Sequence, residues 1–402
     1  MSIKKSFGIG CYHFGIKKDV PFKFQGIHYI NELKIVLSKI SSLTNLKIET
    51  DDEFEYSEIL FTEDTVNIEE GEGFFPSALY LNIEFDLYIP FRIQSEITDV
   101  DEKFLNTYTE NFKIKIFQSY YSPVTIIESL NPTRKNEPST GVQIVREFII
   151  RELTNNKSDY IRFECLGPSP FHCNFFIEPK LPEEEYNWLF TIDEQIKRGY
   201  NTLTFFYNSV EIEDAEEALD YLNNSIEDEF GFFYKTIQTR NAKMHAWQEI
   251  NSSLDSLIEI QNTNGIVGII KRYFKRQKLI SKLYTDIVTF EGKSIYINSL
   301  QQNEYNDTFS IKDEIFFKSL IDKELEEKLD YPIKQTTDLI QFFESRRVKS
   351  LELTTSLIAA ILGGLIGALI TISIDKNQSK HEIHKPLVDN IEKKSNNNTT
   401  TK

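Results

Sequence analysis

Three sets of residues in this chain have types that could do chemistry. Arg240 and His245 stand five apart in Arg240-Asn-Ala-Lys-Met-His245, a cation and a proton-transfer group that together could hold and cleave a phosphodiester. Cys11, His13, Cys165, His172 and Cys173 are zinc-type ligands, but their spacings match no closed structural site, which needs closely paired ligands. Glu84 and Asp86 fall on one face of a strand, where two carboxylates could work as an acid–base pair. Each set also has a plainer role. Arg240 fits a polar place in a helix seam, with His245 pointing about 140° away from it. Cys173 fits a core with His172 turned outward, and Glu84 and Asp86 fit a solvated strand face. His381 and His384 lie in a polar tail with no fold around them. No metal and no cofactor is expected. The motifs GxxxxGK[ST], GxSxG, HExxH and GxGxxG before a helix are absent, so no cluster identifies a reaction. A non-enzymatic protein is the leading expectation.

A fourth set is electrostatic. Lys271, Arg272, Lys275, Arg276, Lys278 and Lys282 make a basic stripe beside the apolar row Ile266, Ile269, Ile270, Tyr273, Ile280, Leu283 and Ile287, with no acid from 266 to 284. A basic amphipathic helix can lie on an anionic leaflet or meet an acidic partner. It can equally face the acidic stretch 211–220 of the same chain, or solvent. Lys+Arg 45 against Asp+Glu 62 gives a net charge of −17, which disfavours nucleic acid as a partner.

The elements that must position these groups are readable from periodicity. The chain has 402 residues, 40% of them hydrophobic, enough for two or three cores. Residues 78–89 alternate strictly between apolar and polar, which predicts a half-buried antiparallel strand. The stretches 112–117, 160–164, 171–177 and 203–207 repeat the pattern, and helical spacing appears at 30–40 and 141–153. From about 211 helical periods take over. Phe233, Ile237, Arg240, Met244, Trp247, Asn251, Leu254 and Ile258 predict a long helix with a coiled-coil-like seam, broken at Asn262-Thr-Asn-Gly. A second helix is expected over 266–287, a strand-like piece over 294–298, a third helix over 311–329, and a stalk helix from Pro332. The fold class is α+β. Residues 1–208 form a mainly antiparallel β-sheet domain with helices, 209–350 a helical domain with a stalk helix, and 375–402 a disordered polar tail.

Residues 353–374 carry no charge, and as a helix they would reach roughly 33 Å, about one bilayer core. A single transmembrane helix is expected there. Ala359, Gly363 and Gly367, and beside them Ala360, Gly364 and Ala368, repeat every four residues, the small-residue pattern that lets membrane helices pack. Three cysteines fit a reducing compartment without a disulfide framework. The first residues lack the apolar stretch of a signal peptide. The expected placement is a single-pass protein of an inner or plasma membrane, its N-terminal body cytosolic and its short tail on the far side.

Arg240 and His245 fit the Arg-x4-His spacing and in that respect resemble the HEPN ribonucleases, where an Arg and a His from paired helices form a composite RNA-cleaving site. The resemblance covers six residues and implies a membrane-tethered ribonuclease with Arg240 and His245 as its catalytic pair. The layout of body, stalk and C-terminal membrane helix is similar to that of the CorA-type magnesium channels. Those have two membrane helices with Gly-Met-Asn after the first; here there is one span, and Met occurs only at 1 and 244. The leading expectation is a binding, sensing or scaffold protein that assembles through its membrane helix, as in a stress or antiviral-defence effector. Its partners would be the lipid bilayer and a second copy or another membrane protein. The alternatives are the ribonuclease and an anchored subunit of a larger membrane complex.

Overall fold

One long strand organises the N-terminal half. β1 (Lys5–Lys17) is buried at every residue between its ends, and in the computed structural model of the protein it is paired along both edges. The structure describes residues 5–17, 25–50, 73–74, 81–105, 107–118, 121–133, 137–156, 158–166, 169–182, 188–196, 199–262, 265–310, 315–326, 329–345, 356 and 359–363. The other strands are β2 (Leu43–Thr50), β3 (Gly73–Phe74), β4 (Leu81–Tyr88), β5 (Asn111–Gln118), β6 (Val124–Ser129), β7 (Ile161–Leu166), β8 (Cys173–Lys180), β9 (Phe190–Gln195) and β10 (Asn201–Asn208). Their order is β2-β4-β5-β6-β1-β8-β10-β9, with β3 and β7 also on β1. The pairings are antiparallel except β8 with β10, so the sheet is mixed. β7 and β8 follow one another along β1, on Cys11–Ile16 and then on Lys5–Phe7.

The expected alternation holds in β4: Leu81, Ile83, Phe85 and Leu87 are buried and the residues between them are not. Residues 78–80 lie outside the described residues. On the same side of the sheet pack α1 (Gly26–Ser38) and α3 (Pro138–Asn155), with Leu33, Leu37, Val145 and Ile149 in one core with Tyr12, Phe14 and Phe85. α2 (Phe91–Thr98) is amphipathic and short.

The other side carries the helical part. α4 (Ala215–Asn262) and α5 (Gly265–Ser310) run 48 and 46 residues, each about 70 Å long. They form an antiparallel hairpin, with Thr236 level with Gln301, Lys243 with Asn298 and Ser253 with Lys282. The first half of α4 lies on the sheet, where Leu222, Ile226 and Phe230 share a core with Phe7, Phe175 and Phe205. Covered on several sides, it buries Phe230, Phe232, Phe233 and Tyr234 in succession. The second half leaves the sheet and forms a third core, Trp247, Ile250 and Leu257 against Leu283, Ile287 and Phe290. After α6 (Lys318–Glu326), a helix at 333–345, α7, joins that core through Ile340.

The helical half differs from its sequence reading in three ways. The helix expected over 311–329 is α6, Lys318–Glu326, and 315–317 before it are not helical. Residues 294–298 are not a strand; they lie inside α5, which continues unbroken to Ser310. Ile295 and Ile297 alternate because they sit on nearly opposite faces of one helix, about 200° apart. The expected α4 seam is also turned. Met244 is 39% exposed and Asn251 is exposed, while Ile250, Ser253 and Leu257 face inward.

Among the described residues no helix is long and apolar enough to cross a membrane. Of the apolar run 353–374, residue 356 and residues 359–363 are described, as helix; Ala359, Ala360 and Gly363 are among them. Gly364, Gly367, Ala368 and the tail lie outside the described residues.

Candidate functional site

The chemical candidates separate in space. Arg240 is half-buried and bound to α6: Nη1 donates to Glu324 Oε1 at 2.6 Å and Nη2 to the Glu324 carbonyl at 2.7 Å. His245 is exposed on the same helix. Arg240 thereby ties α4 to α6.

The zinc-type residues are divided by the sheet. Cys11 stands opposite Leu166 and His13 opposite Glu164, whereas Cys165 pairs with Tyr12 and so turns to the other side. Burial raises the Cys11 thiol well above its ordinary pKa, and burial raises that of Cys173 to about 12. His172 is exposed. No group of three His, Cys, Asp or Glu able to hold a metal occurs among the described residues. Glu84 is paired with Lys113 at 3.2 Å and Asp86 accepts from Asn45 Nδ2 at 2.6 Å. They stand as a strand face with partners.

His13 belongs to a buried polar group that the spacing of the sequence did not reveal. It lies 3% exposed beside the Arg162–Glu164 ion pair on β7. Burial, and then Arg162, hold its pKa well below the ordinary value. The folded chain therefore keeps His13 neutral, while the unfolded chain takes up a proton near pH 6.5. Stability is present above that pH and falls as pH drops below it, by on the order of 1 kcal/mol between pH 7.5 and 5.5. We expect His13→Gln to lose this share of the acid sensitivity in urea titrations at the two pH values. An unchanged pH slope would contradict the assignment.

Among the described residues the acidic stretch at the start of α4 does not meet the basic stripe. Glu216 and Asp220 instead reach sheet lysines, Lys113 at 3.4 Å and Lys115 at 2.5 Å. Asp214 caps the helix, accepting from the Glu216 and Glu217 amides at 2.8 and 2.9 Å, and those bonds lower its pKa. With Glu213 and Glu217 they line an open depression of about 580 Å³.

The basic stripe itself is split. Lys275 and Lys278 are exposed. Lys271 and Arg272 lie on the α5 backbone near its start, and their side chains are outside the described residues. Lys282 is engaged with Asp286 at 3.2 Å and Ser253 at 3.0 Å. Arg276 turns inward: 6% exposed, it donates to the Phe343 carbonyl in the last turn of α7 and to the Gln261 amide oxygen. A cation suits a helix C-terminus, where carbonyls lack intrahelical donors. The sequence carried a signal for this, since Arg276 precedes Ile280, Leu283 and Ile287 at the same four-and-three spacing as the buried row.

These contacts fix the direction of α7. At its start, Tyr331 packs on Trp247 and Phe290, with ring centroids 5.5 and 5.0 Å apart. At its end, Phe343 meets Arg276 and Glu344 accepts from the Tyr284 hydroxyl at 3.3 Å. α7 thus runs away from the sheet, towards the turn that joins α4 to α5. That distal end, with the exposed Lys275 and Lys278, is the candidate site.

A second join was missed altogether. Glu229 on α4, 0% exposed, accepts from the Phe316 amide at 3.0 Å and the Phe317 amide at 2.7 Å. It fixes the α5–α6 connection against the sheet. No local pattern marks it, because its partners are backbone groups 87 and 88 residues away.

No protein-family model matches the chain, and neither a curated protein nor a solved structure matches it.

Proposed function

We propose that the protein is held in a membrane by residues 353–374, carries its sheet body in the cytosol on the α4–α5 stalk, and works as a non-enzymatic sensor or scaffold that assembles at the bilayer. The direction of α7 supports this reading. Its last turn lies beside Arg276 and Tyr284, between the third core and the distal turn. The helix therefore aims the chain that follows it towards the stalk end farthest from the sheet. The same end carries Ile266, Val267, Ile269 and Ile270 followed by Lys271, Arg272, Lys275 and Lys278, apolar and then basic, the order an interfacial contact with anionic lipid uses. The small-residue rows in the run add a means of pairing spans. In its most specific form the protein is a stress or antiviral-defence effector, in which ligand binding by the body gathers the spans and perturbs the bilayer.

Carbonate extraction of cell membranes tests the anchor. The full chain is expected in the pellet, and a chain lacking 353–374 in the supernatant. Release of the full chain by carbonate would refute the anchor. Clustering the body in cells is then expected to depolarise the membrane; an unchanged potential would remove the effector reading and leave a scaffold or a subunit of a larger complex.

A further inference from the structure

α5 carries two heptad seams. The inner one includes Leu283, Ile287 and Phe290, all buried against α4 and α7. The outer one is Thr285, Val288, Gly292, Ile295, Ser299 and Gln302, spaced three and four, and every member is exposed. Val288 is 67% exposed, Ile295 72%, and Tyr296 beside them 59%. A side chain added at Gly292 would meet nothing within 4 Å. Single exposed apolar residues are ordinary, but a row at heptad spacing on a long helix is the pattern that pairs helices.

We propose that this outer seam pairs with the same seam of a second copy, in parallel and in register. The proposal rests on the membrane-anchored reading. Two copies anchored alike in one bilayer share one orientation, so a two-fold axis along the membrane normal brings each residue to its own counterpart at equal height. Val288 then meets Val288 and Ile295 meets Ile295, while Gly292 and Ser299 let the backbones close. In a parallel pair the flanking Glu291 faces the counterpart of Tyr296, and Asn298 that of Asn303, so no like charges meet. Across the seam and these flanks the charges are Glu291 and Lys243, which reaches Asn298 from α4; they offset each other, which suits neither an anionic lipid surface nor an acidic partner. The seam is small. Six residues a copy fall well short of the roughly 20–30 a side of a stable interface. Pairing therefore depends on the effective concentration that co-anchoring supplies.

Cysteine scanning of the full chain in vesicles tests this. Val288→Cys, Ile295→Cys and, on an exposed face of α4, Glu249→Cys are oxidised, with the unsubstituted chain as the blank for Cys165; Cys11 and Cys173 are buried. The 288 and 295 variants are expected to form disulfide-linked dimers at least tenfold faster than the 249 variant. Equal rates at 295 and 249, in protein that resists carbonate, would overturn the seam and leave the anchor standing. Faster linking of a 288 variant to a 295 variant than of either to itself would overturn the parallel register. Protein released by carbonate would overturn the anchor, and the seam with it.

Discussion

Phe317→Ala is expected to cost about 3–5 kcal/mol of stability, the range for removing a fully buried aromatic side chain. Phe317 is 1% exposed and sits on the connection between α5 and α6. Its ring lies 4.7 Å from that of Phe230, 5.6 Å from Phe171, 5.9 Å from Phe205 and 6.4 Å from Phe175. Those four rings come from α4, the turn before β8, β10 and β8 itself. A hole there is walled by elements already tied into the sheet, so it cannot collapse far. Glu229 adds to the cost, because its carboxylate bonds hold the Phe316 and Phe317 amides in place whether or not the ring is present. The measurement is a urea titration beside Phe317→Leu, which keeps most of the volume and should lose less than half as much. A loss below about 1.5 kcal/mol for the alanine variant would show that the α5–α6 connection is not anchored in the sheet core.

Gly8→Ala is expected to cost about 3 kcal/mol, at the upper end for overpacking. The added Cβ would lie 2.4 Å from Val142 Cγ2 and 2.6 Å from the Pro138 carbonyl oxygen. Val142 can turn aside. The Pro138 oxygen cannot, since Pro138 opens α3 and the helix would have to move bodily. Gly10, two residues on, brings its own Cβ position within 2.9 Å of Val142 Cγ1, so the two glycines form a channel in β1 in which the start of α3 lies. Combining Gly8→Ala with Val142→Ala should recover only part of the loss in thermal unfolding. Full recovery would mean that the side chain, not the helix backbone, is the obstacle.

The sheet half was legible in the sequence because its pattern is local. Leu81, Ile83, Phe85 and Leu87 need only alternate for the strand to declare its buried face. The helical half was legible in outline, down to the break at Asn262, which ends α4. It failed where a helix has two apolar faces. Ile295 and Ile297 look like a strand because period two and two opposite helical faces give the same short pattern. Which groups serve as joints was mostly hidden. Arg276 read as one more surface cation, yet it lies against the Phe343 carbonyl, 67 residues on. Glu216 and Asp220 read as partners for a basic helix, but the nearer lysines, Lys113 and Lys115, come from β5, more than 100 residues earlier. Periodicity reports which face of an element is apolar; it carries no information on which distant group arrives to satisfy a charge.

α4 is a single uninterrupted rod whose first half is embedded in the sheet core and whose second half reaches to the far turn. The second half leaves the sheet near Tyr234. From there to Asn262 it is about 42 Å long, so a change of about 10° in the angle at which α4 leaves the sheet would displace its far end by about 7 Å. Glu216 and Asp220, bound to Lys113 and Lys115 on β5, help to set that angle.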